Sequence, residues 1–425
     1  MISKEKGVVV MIIAGIIAEY NPFHNGHFYQ LETLQKTVHP DVVVVVMSGD
    51  FLQRGEPAIV SKWTRARMAL EAGIDLVVEL PYVFAVGKAD VFARGAVTIL
   101  DRLGVNRLFF SSECGRIEPF FNSLSLISNH KTAYEAQLAE SMAKGISYPN
   151  AHAAAYRFIA QGYGKELVDL SLPNNSLGFQ YIKALQQRNS TMKPITIKRK
   201  QAEHNDQTFD DDAVIASASS IRLHLMTGGH ADSIYTKLPV HVAEALIDAK
   251  KKNGYANWER FYPFLKYKLL SFSGDRLKLI YEMEEGIEHR LLECIRTAST
   301  FHEFISAVKT KRYTWARLQR LAVHILTDTL KEEAKPLALN SDPDSTRLLG
   351  MNGRGQAYLA DIRKRASIDI ISKVRNHRSL MLNIDLKTAQ IYDYLINIDH
   401  KPMKYTETSH PPIRYDEINR RFLNE

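Results

Sequence analysis

The stretch GIIAEYNPFHNGHFYQLETLQ, Gly15 to Gln35, sets the architecture of what surrounds it. An apolar, β-branched run stops at an Asn-Pro turn. Two histidines three residues apart follow, with a glycine between them, and a helical pattern begins. A fully buried strand handing over to a helix is the first unit of a parallel sheet covered on both faces. The alternation continues outward: DVVVVVMSGDF, IDLVVELPY and NRLFFSSE read as the second, third and fourth strands. Between them HFYQLETLQKTV, SKWTRARMALEAG and DVFARGAVTILDRLG carry helical spacing, the last two closed by a glycine. Ligands of such sheets bind beyond the carboxyl ends of the strands, so the loops after Ile17, Met47, Leu80 and Phe110 are the ones to watch.

After about Ile117 the pattern turns helical, through YEAQLAESMAKG and AHAAAYRFIAQG. PITIKRK reads as one more strand. The acidic, apolar-poor QAEHNDQTFDDDA reads as an exposed or mobile loop, and IASASSIRLHLMTGG as a capped helix start. From about Asp232 helices dominate and strand signals nearly vanish, which places a domain boundary there. The 425 residues, 45% hydrophobic and 24% charged, suffice for two or three globular domains. Two cysteines, Cys114 and Cys294, exclude a disulfide scaffold and a thiolate zinc site and fit a reducing cytosol. The apolar run Gly7 to Ile17 is too short to span a membrane and lacks a cleavage site, so it reads as a strand and not a signal peptide. Residues 1–11 are expected to form a disordered extension, with Met11 a candidate start. The net charge of +8 suits a polyanionic partner and equally a merely solvated basic surface.

His24 and His27 sit where a strand meets the first turn of a helix. Unpaired N–H groups and the positive end of the helix dipole attract anions there. Two imidazole donors on one helix face can follow charge as pyrophosphate leaves an α-phosphate, and Gly26 lets a base or ribose approach the backbone. A histidine metal pair is the weaker reading, since no cysteine or carboxylate stands nearby at matching spacing. Histidines that only cap a helix are the stronger rival for the tetrapeptide alone. SASSIR, Ser217 to Arg222, offers hydroxyls and an arginine at another helix start. By itself it is a cap; with HNGH upstream it gains a second role as a phosphate clamp. Arg54, in a loop after the second strand, is placed to hold a carboxylate or phosphate, the rival being a surface arginine.

HNGH and SASSIR together resemble the two-part signature of the nucleotidylyltransferase superfamily. Longer strings narrow this: IIAEYNPFHNGHFY, MSGDFLQRGEPAIVSKWTRARMAL, DLVVELPY, KADVFARGAV, LPNNSLGFQYIKAL, KRYTWARLQRLAVHIL, RLLGMNGRGQAYL and HPPIRYDE are similar to the bacterial tRNA(Met) cytidine acetate ligase family over nearly the whole chain. The resemblance implies a Rossmann-like, parallel-sheet α/β nucleotidylyltransferase domain over residues 12–231 and a mainly helical domain over 232–425 contributing to tRNA binding. It implies that ATP activates acetate as acetyl-adenylate, releasing pyrophosphate, and that acetyl passes to N4 of the wobble cytidine of elongator tRNA(Met). The implied ATP segment is Ile16, Ile17, Ala18, Glu19, Tyr20, Asn21, Pro22, Phe23, His24, Asn25, Gly26, His27, Phe28 and Tyr29. Further implied ATP contacts are Ser111, one of Asn174 and Asn175, Arg199, Ser219, Ser220 and Arg222, with His24, His27 and Arg222 as the catalytic groups. Ser111 stands where the family usually has glycine. Asp50 stands where asparagine is common, and its charge near phosphates requires a cation close by.

KTKRYTWARLQRLAVHILT carries Lys309, Lys311, Arg312, Arg317 and Arg320 with Tyr313 and Trp315 interleaved. With Leu318, Leu321, Ala322 and Ile325 as the apolar stripe, the basic face suits a tRNA backbone and an aromatic suits an unpaired base. The rival is a solvated polar face with Trp315 in the core. GMNGRGQAYL follows no clear strand and reads as a flexible turn before a helix. Cys114 has no identifiable base and is discounted as an acetyl carrier. Magnesium is expected to accompany ATP on phosphates and water. No protein-held metal, redox cofactor or membrane is expected, the location is cytoplasmic, and the oligomeric state is open. Two other functions compete: a small-molecule nucleotidylyltransferase, which would not need the long basic helical half, and a degenerate RNA-binding module, which would not need intact HNGH and SASSIR.

Overall fold

The computed structural model describes residues 11–200, 215–228, 231–284, 286–398 and 406–423. The expected N-terminal extension, but for Met11, and the acidic loop over 201–213 lie outside the described residues. Among the described residues nine strands form the sheet: β1 (Ile13–Ala18), β2 (Val42–Ser48), β3 (Leu76–Leu80), β4 (Arg107–Ser112), β5 (Lys193–Lys198), β6 (Ser345–Met351), β7 (Asp369–Ile371), β8 (Ile413–Asp416) and β9 (Arg421–Phe422). Their order is β5-β4-β1-β2-β3-β6-β8-β9, with β7 also paired to β6. The first five run parallel.

β2 shows why this sequence makes a two-faced sheet. All seven of its residues are buried. Val42, Val44 and Val46 point into one apolar core, while Val43, Val45 and Met47 point into the other. The two-residue period of a strand sends each half of an unbroken valine run to a different helical layer. Burial of each such side chain is worth about 1.5–3 kcal/mol, so the central strands anchor the fold. The helices Asn25–Val38, Lys62–Glu71 and Ala89–Arg102 follow β1, β2 and β3 as their spacing predicts.

Strands do not vanish after residue 232. β6 lies antiparallel beside β3, and β8 extends the sheet beyond it. Residues 345–422 therefore complete one side of the sheet begun by the N-terminal half. The strand STRLLGM escapes an apolar-run reading because its buried positions include polar groups. Thr346 donates to the Glu79 carbonyl at 2.7 Å, and Arg347 pairs with the Glu407 carboxylate at 2.8 Å. β6 is also the strand that precedes GMNGRGQAYL. Asn352 caps the helix Gly353–Ile362 directly after it, accepting from the Gly355 amide at 2.9 Å and donating to Asp75 at 2.8 Å. What reads as a flexible turn is a strand-to-helix joint with its cap already filled by protein groups.

Candidate active site

β1 ends at Ala18, and the chain turns through Tyr20 and Asn21–Pro22 into the helix Asn25–Val38. His24 is the N-cap. Its Nδ1 accepts from the Gly26 amide at 3.0 Å, and His27 Nδ1 accepts from the His24 amide at 3.3 Å. This is a reciprocal capping box built from two imidazoles. The rings stack with centroids 3.8 Å apart. A β-carbon at Gly26 would lie 2.8 Å from the His24 ring, so the glycine first of all makes room for that cap. Accepting at Nδ1 leaves each neutral ring its proton on Nε2, free of the cap. Burial lowers His24 to about 3, with Arg199 and Arg222 adding to the shift. Burial, then His24 and Arg199, hold His27 well below the usual range. Capping and phosphate recognition are thus compatible, one nitrogen serving each.

SASSIR converges on this turn from about two hundred residues away. Ser217 caps the helix Ala218–Met226, accepting from the Ser220 amide at 3.0 Å, and buried Ser220 donates back to the Ser217 carbonyl. Ser219 is exposed. Arg222 donates to the Asn21 carbonyl at 2.9 Å and to the Glu56 carboxylate at 2.8 Å. Asn25 reaches the same region, its side chain donating to the Thr236 carbonyl at 2.9 Å.

On the other side of β1 lie β4 and β5. Ser111 is the penultimate residue of β4 and half-buried. The Arg199 amide donates to the Ser112 carbonyl at 2.8 Å, and its guanidinium is close enough to act on both histidines. The two asparagines separate. Asn175 is buried, its side chain accepting from the Cys114 amide and donating to the Asp169 carbonyl. Half-buried Asn174 donates to Glu113 at 2.7 Å. Glu113 also accepts the Asn175 amide at 2.7 Å, capping the helix Pro173–Gln187. Sequence reading passes over Glu113; its signal is an acid just beyond a strand end with a Pro-Asn-Asn helix start elsewhere in the chain.

The loop after β2 closes the site. The Gln53 amide donates to Glu19 at 2.8 Å, and the Ile59 amide donates to the Asn21 side chain at 2.7 Å. Burial raises the Glu19 carboxyl and Glu56 adds to it, against the Gln53 amide, Arg54 and Arg222. Arg54 is exposed at this mouth. The cation that Asp50 requires is present: its carboxylate accepts the Lys62 amide at 2.7 Å, with the Lys62 ammonium and Arg65 each 3.9 Å away. Lys62 also pairs with Glu79 and Glu407, both at 2.8 Å. Burial alone would lower the Lys62 ammonium; Glu407, Glu79 and Asp50 outweigh it and raise it. Fully buried Arg65 donates to the Glu19 carbonyl at 2.7 Å and the Ser48 carbonyl at 3.0 Å, tying together the carboxyl ends of β1 and β2. In the sequence SKWTRARMAL is legible as a helix and as part of the family resemblance, but not as the source of the buried ions that position the site.

The basic segment divides. Lys309, Lys311 and Arg312 are exposed. Arg317 pairs with Glu284 at 2.7 Å and lies over the Tyr313 ring. Arg320 does not belong to a solvent face: it is buried and paired with Glu282 at 3.1 Å. The helix Trp315–Leu326 buries its whole stretch from Leu318 onward, so a basic residue there turns inward and needs an acid. Tyr313 is buried too, and Trp315 is half-buried. Among the described residues, no group of three or more histidines, cysteines or carboxylates is arranged to hold a metal ion, and no helix is long and apolar enough to cross a membrane.

Residues 11–408 match the family model described as HIGH Nucleotidyl Transferase. The tRNA(Met) cytidine acetate ligase of Bacillus licheniformis is 46% identical over 98% of this chain and 100% of its own length. That of Bacillus subtilis is 43% identical over 97% of this chain and 100% of its own. The apo crystal structure of Thermotoga maritima TmcAL superposes with a TM-score of 0.88 at 30% identity, covering 96% of this chain and 100% of that one. The same protein bound with α-thio ATP gives a TM-score of 0.86 at the same identity and coverage. The chain belongs to the tRNA(Met) cytidine acetate ligase family of HIGH nucleotidyl transferases.

Proposed function

We propose that this chain is an ATP-dependent acetate ligase acting on elongator tRNA(Met) in the cytoplasm. The observation that carries the reading is the meeting of HNGH and Arg222 at the carboxyl end of β1, with Arg222 bonded 2.9 Å from the Asn21 carbonyl. ATP lies across that end, its phosphates toward the histidines, Arg199 and Arg222 and its nucleoside toward Ser111 and Asn174. Of the asparagine pair Asn174 is the ATP contact, because buried Asn175 already uses both its side-chain oxygen and its nitrogen, whereas half-buried Asn174 uses its nitrogen toward Glu113.

An acetate oxygen attacks the α-phosphorus. The bond from that phosphorus to the bridging oxygen breaks, pyrophosphate leaves and acetyl-adenylate forms. The Nε2–H groups of His24 and His27 and the Arg222 guanidinium stabilise charge building on the leaving phosphates. Neutral imidazoles donate without having to lose a proton first. Magnesium, bound together with ATP, would neutralise charge on the polyphosphate. In the second step N4 of the wobble cytidine attacks the acetyl carbonyl, AMP departs and the amine sheds a proton. That step needs positioning more than a strong base. Residues 232–425 bring the tRNA, with Lys309, Lys311 and Arg312 on its backbone. The test is incubation of purified protein with ATP, carbon-13 acetate and tRNA(Met), then nucleoside mass spectrometry. Labelled N4-acetylcytidine is expected; unmodified cytidine, or label on another nucleoside, refutes the reading.

A further inference from the structure

We infer that Glu56 is a positioning residue for Arg222, an inference that rests on the ligase reading above. Glu56 sits in the QRGEP turn, which is held from several directions. The Leu52 amide donates to the Glu56 carbonyl at 2.9 Å, and the Gly55 amide donates to the Leu52 carbonyl at 2.8 Å. Gly55 has φ +75°, and a β-carbon there would lie 2.1 Å from the Arg320 backbone nitrogen. Only glycine meets both conditions, a left-handed backbone and contact with a neighbouring helix. The Trp258 indole N–H donates to the Gly55 carbonyl at 2.8 Å. The turn is therefore clamped between two helices of the C-terminal half and the HNGH turn, and the Glu56 carboxylate is an anion fixed in place.

Arg222 comes from a different part of the chain and reaches the site on a long side chain. Its guanidinium is held by the Asn21 carbonyl at 2.9 Å on one nitrogen and by Glu56 at 2.8 Å on another, with Ser219 Oγ at a looser 3.5 Å. Five N–H donors in a planar fork leave others to meet a phosphate once these two acceptors fix the plane. Asn21 is itself tied to the loop through the Ile59 amide. The two acceptors that aim Arg222 thus belong to one connected frame. A carboxylate so placed has opposite effects on the two kinetic constants. It repels a bound polyphosphate, weakening ground-state binding, and it holds the arginine where charge develops, speeding the chemical step. A merely structural acid would show no such split.

Acetate-dependent ATP–pyrophosphate exchange is measured for the unaltered protein, Glu56→Gln, Arg222→Ala and the double variant. Glu56→Gln is expected to lower kcat about tenfold, the cost of a loosened donor and not a lost one, with KM for ATP unchanged or lower. In the Arg222→Ala background the same change should alter kcat by less than about twofold, because the residue it aims is gone. Glu56→Asp, which keeps the charge, should recover most of the loss. Equal losses in both backgrounds, or a raised KM together with a lowered unfolding midpoint, overturn the inference. Failure of the unaltered protein to exchange overturns the ligase reading instead. Calorimetric titration of ATP into the same four proteins then reads the ground state: Glu56→Gln should leave Kd unchanged or tighten it in both backgrounds, and a weakened Kd overturns the inference.

Discussion

At His24 one side chain would serve both fold and the proposed chemistry. Its Nδ1 completes the helix cap, and in the proposed reaction its Nε2–H meets a phosphate. Burial lowers its folded-state value to about 3, below the ordinary 6.5, so the folded protein favours the neutral ring. The sign follows. The unfolded chain binds the proton more readily, and the stability His24 contributes is full above about pH 6.5 and is lost as the pH falls toward the folded value. Carboxyls with raised values, such as Asp393 at about 8, where burial dominates, run the other way. The difference from a His24→Asn variant, in which asparagine still caps, cancels them. Between about pH 7.5 and about pH 5.5, the unaltered protein should lose about 1 kcal/mol more unfolding free energy in urea than the variant. An identical loss in both would mean that His24 is not held neutral by the fold. His27→Ala removes half of the capping box, so it should cost about 1 kcal/mol of stability, as for a lost cap, while slowing pyrophosphate exchange about a hundredfold, as for a lost oxyanion donor. Near-normal turnover would remove His27 from the phosphate site. The meeting of the histidine turn with Arg222 is legible in the sequence because motif spacing and strand-to-helix context name both segments, and Arg222 bonds the Asn21 carbonyl just before the histidines. Glu56, Glu113, Lys62 and Arg65 are not legible as partners, because each meets its counterpart only through tertiary contact.

At the scale of elements, β1 and β2 are readable because each is an unbroken apolar run, as β2 shows with every residue buried; β3 and β4 keep apolar cores broken only by Glu79 and by polar ends, and β5 is marked by its β-branched Ile195, Thr196 and Ile197. The later strands are not. β6 hides Thr346 and Arg347 in the interior, and its polarity is compensated by Glu79 and Glu407, a relation no local pattern reveals. The helix Lys62–Glu71 hides its role in the same way. Its apolar spacing predicts a helix, but Lys62 and Arg65 on it are fully buried ions that secure the strand ends. Lys62→Met preserves length and apolar volume while leaving Asp50, Glu79 and Glu407 without their shared cation. Removing one partner of a buried ionic group costs about 3–5 kcal/mol, and denaturant midpoints should fall accordingly. A midpoint within error of the parent would show that water or protons replace the ammonium at little cost.

Over the whole molecule, the C-terminal half both completes the sheet and grips the QRGEP turn of the first half. The two halves are therefore joined at the carboxyl end of the parallel strands as well as by chain connectivity. A separate outer face carries Lys309, Lys311 and Arg312, while Arg320 has turned inward to Glu282. Lys311→Ala with Arg312→Ala should leave pyrophosphate exchange intact and reduce tRNA acetylation. The salt slope of tRNA binding should shrink by roughly one unit, or slightly less, for each lost phosphate contact. Loss of exchange as well would assign this face to the fold, and unchanged acetylation would move the tRNA elsewhere.

The junction of HNGH with Arg222 is tested most directly by ATP–pyrophosphate exchange without RNA, with and without acetate, in the unaltered protein and in Arg222→Ala. Exchange should require acetate in the unaltered protein and fall about a hundredfold in the variant, with the unfolding midpoint close to that of the parent. Exchange independent of acetate, or an Arg222→Ala rate equal to the unaltered one, would contradict a single phosphate site assembled from these two segments.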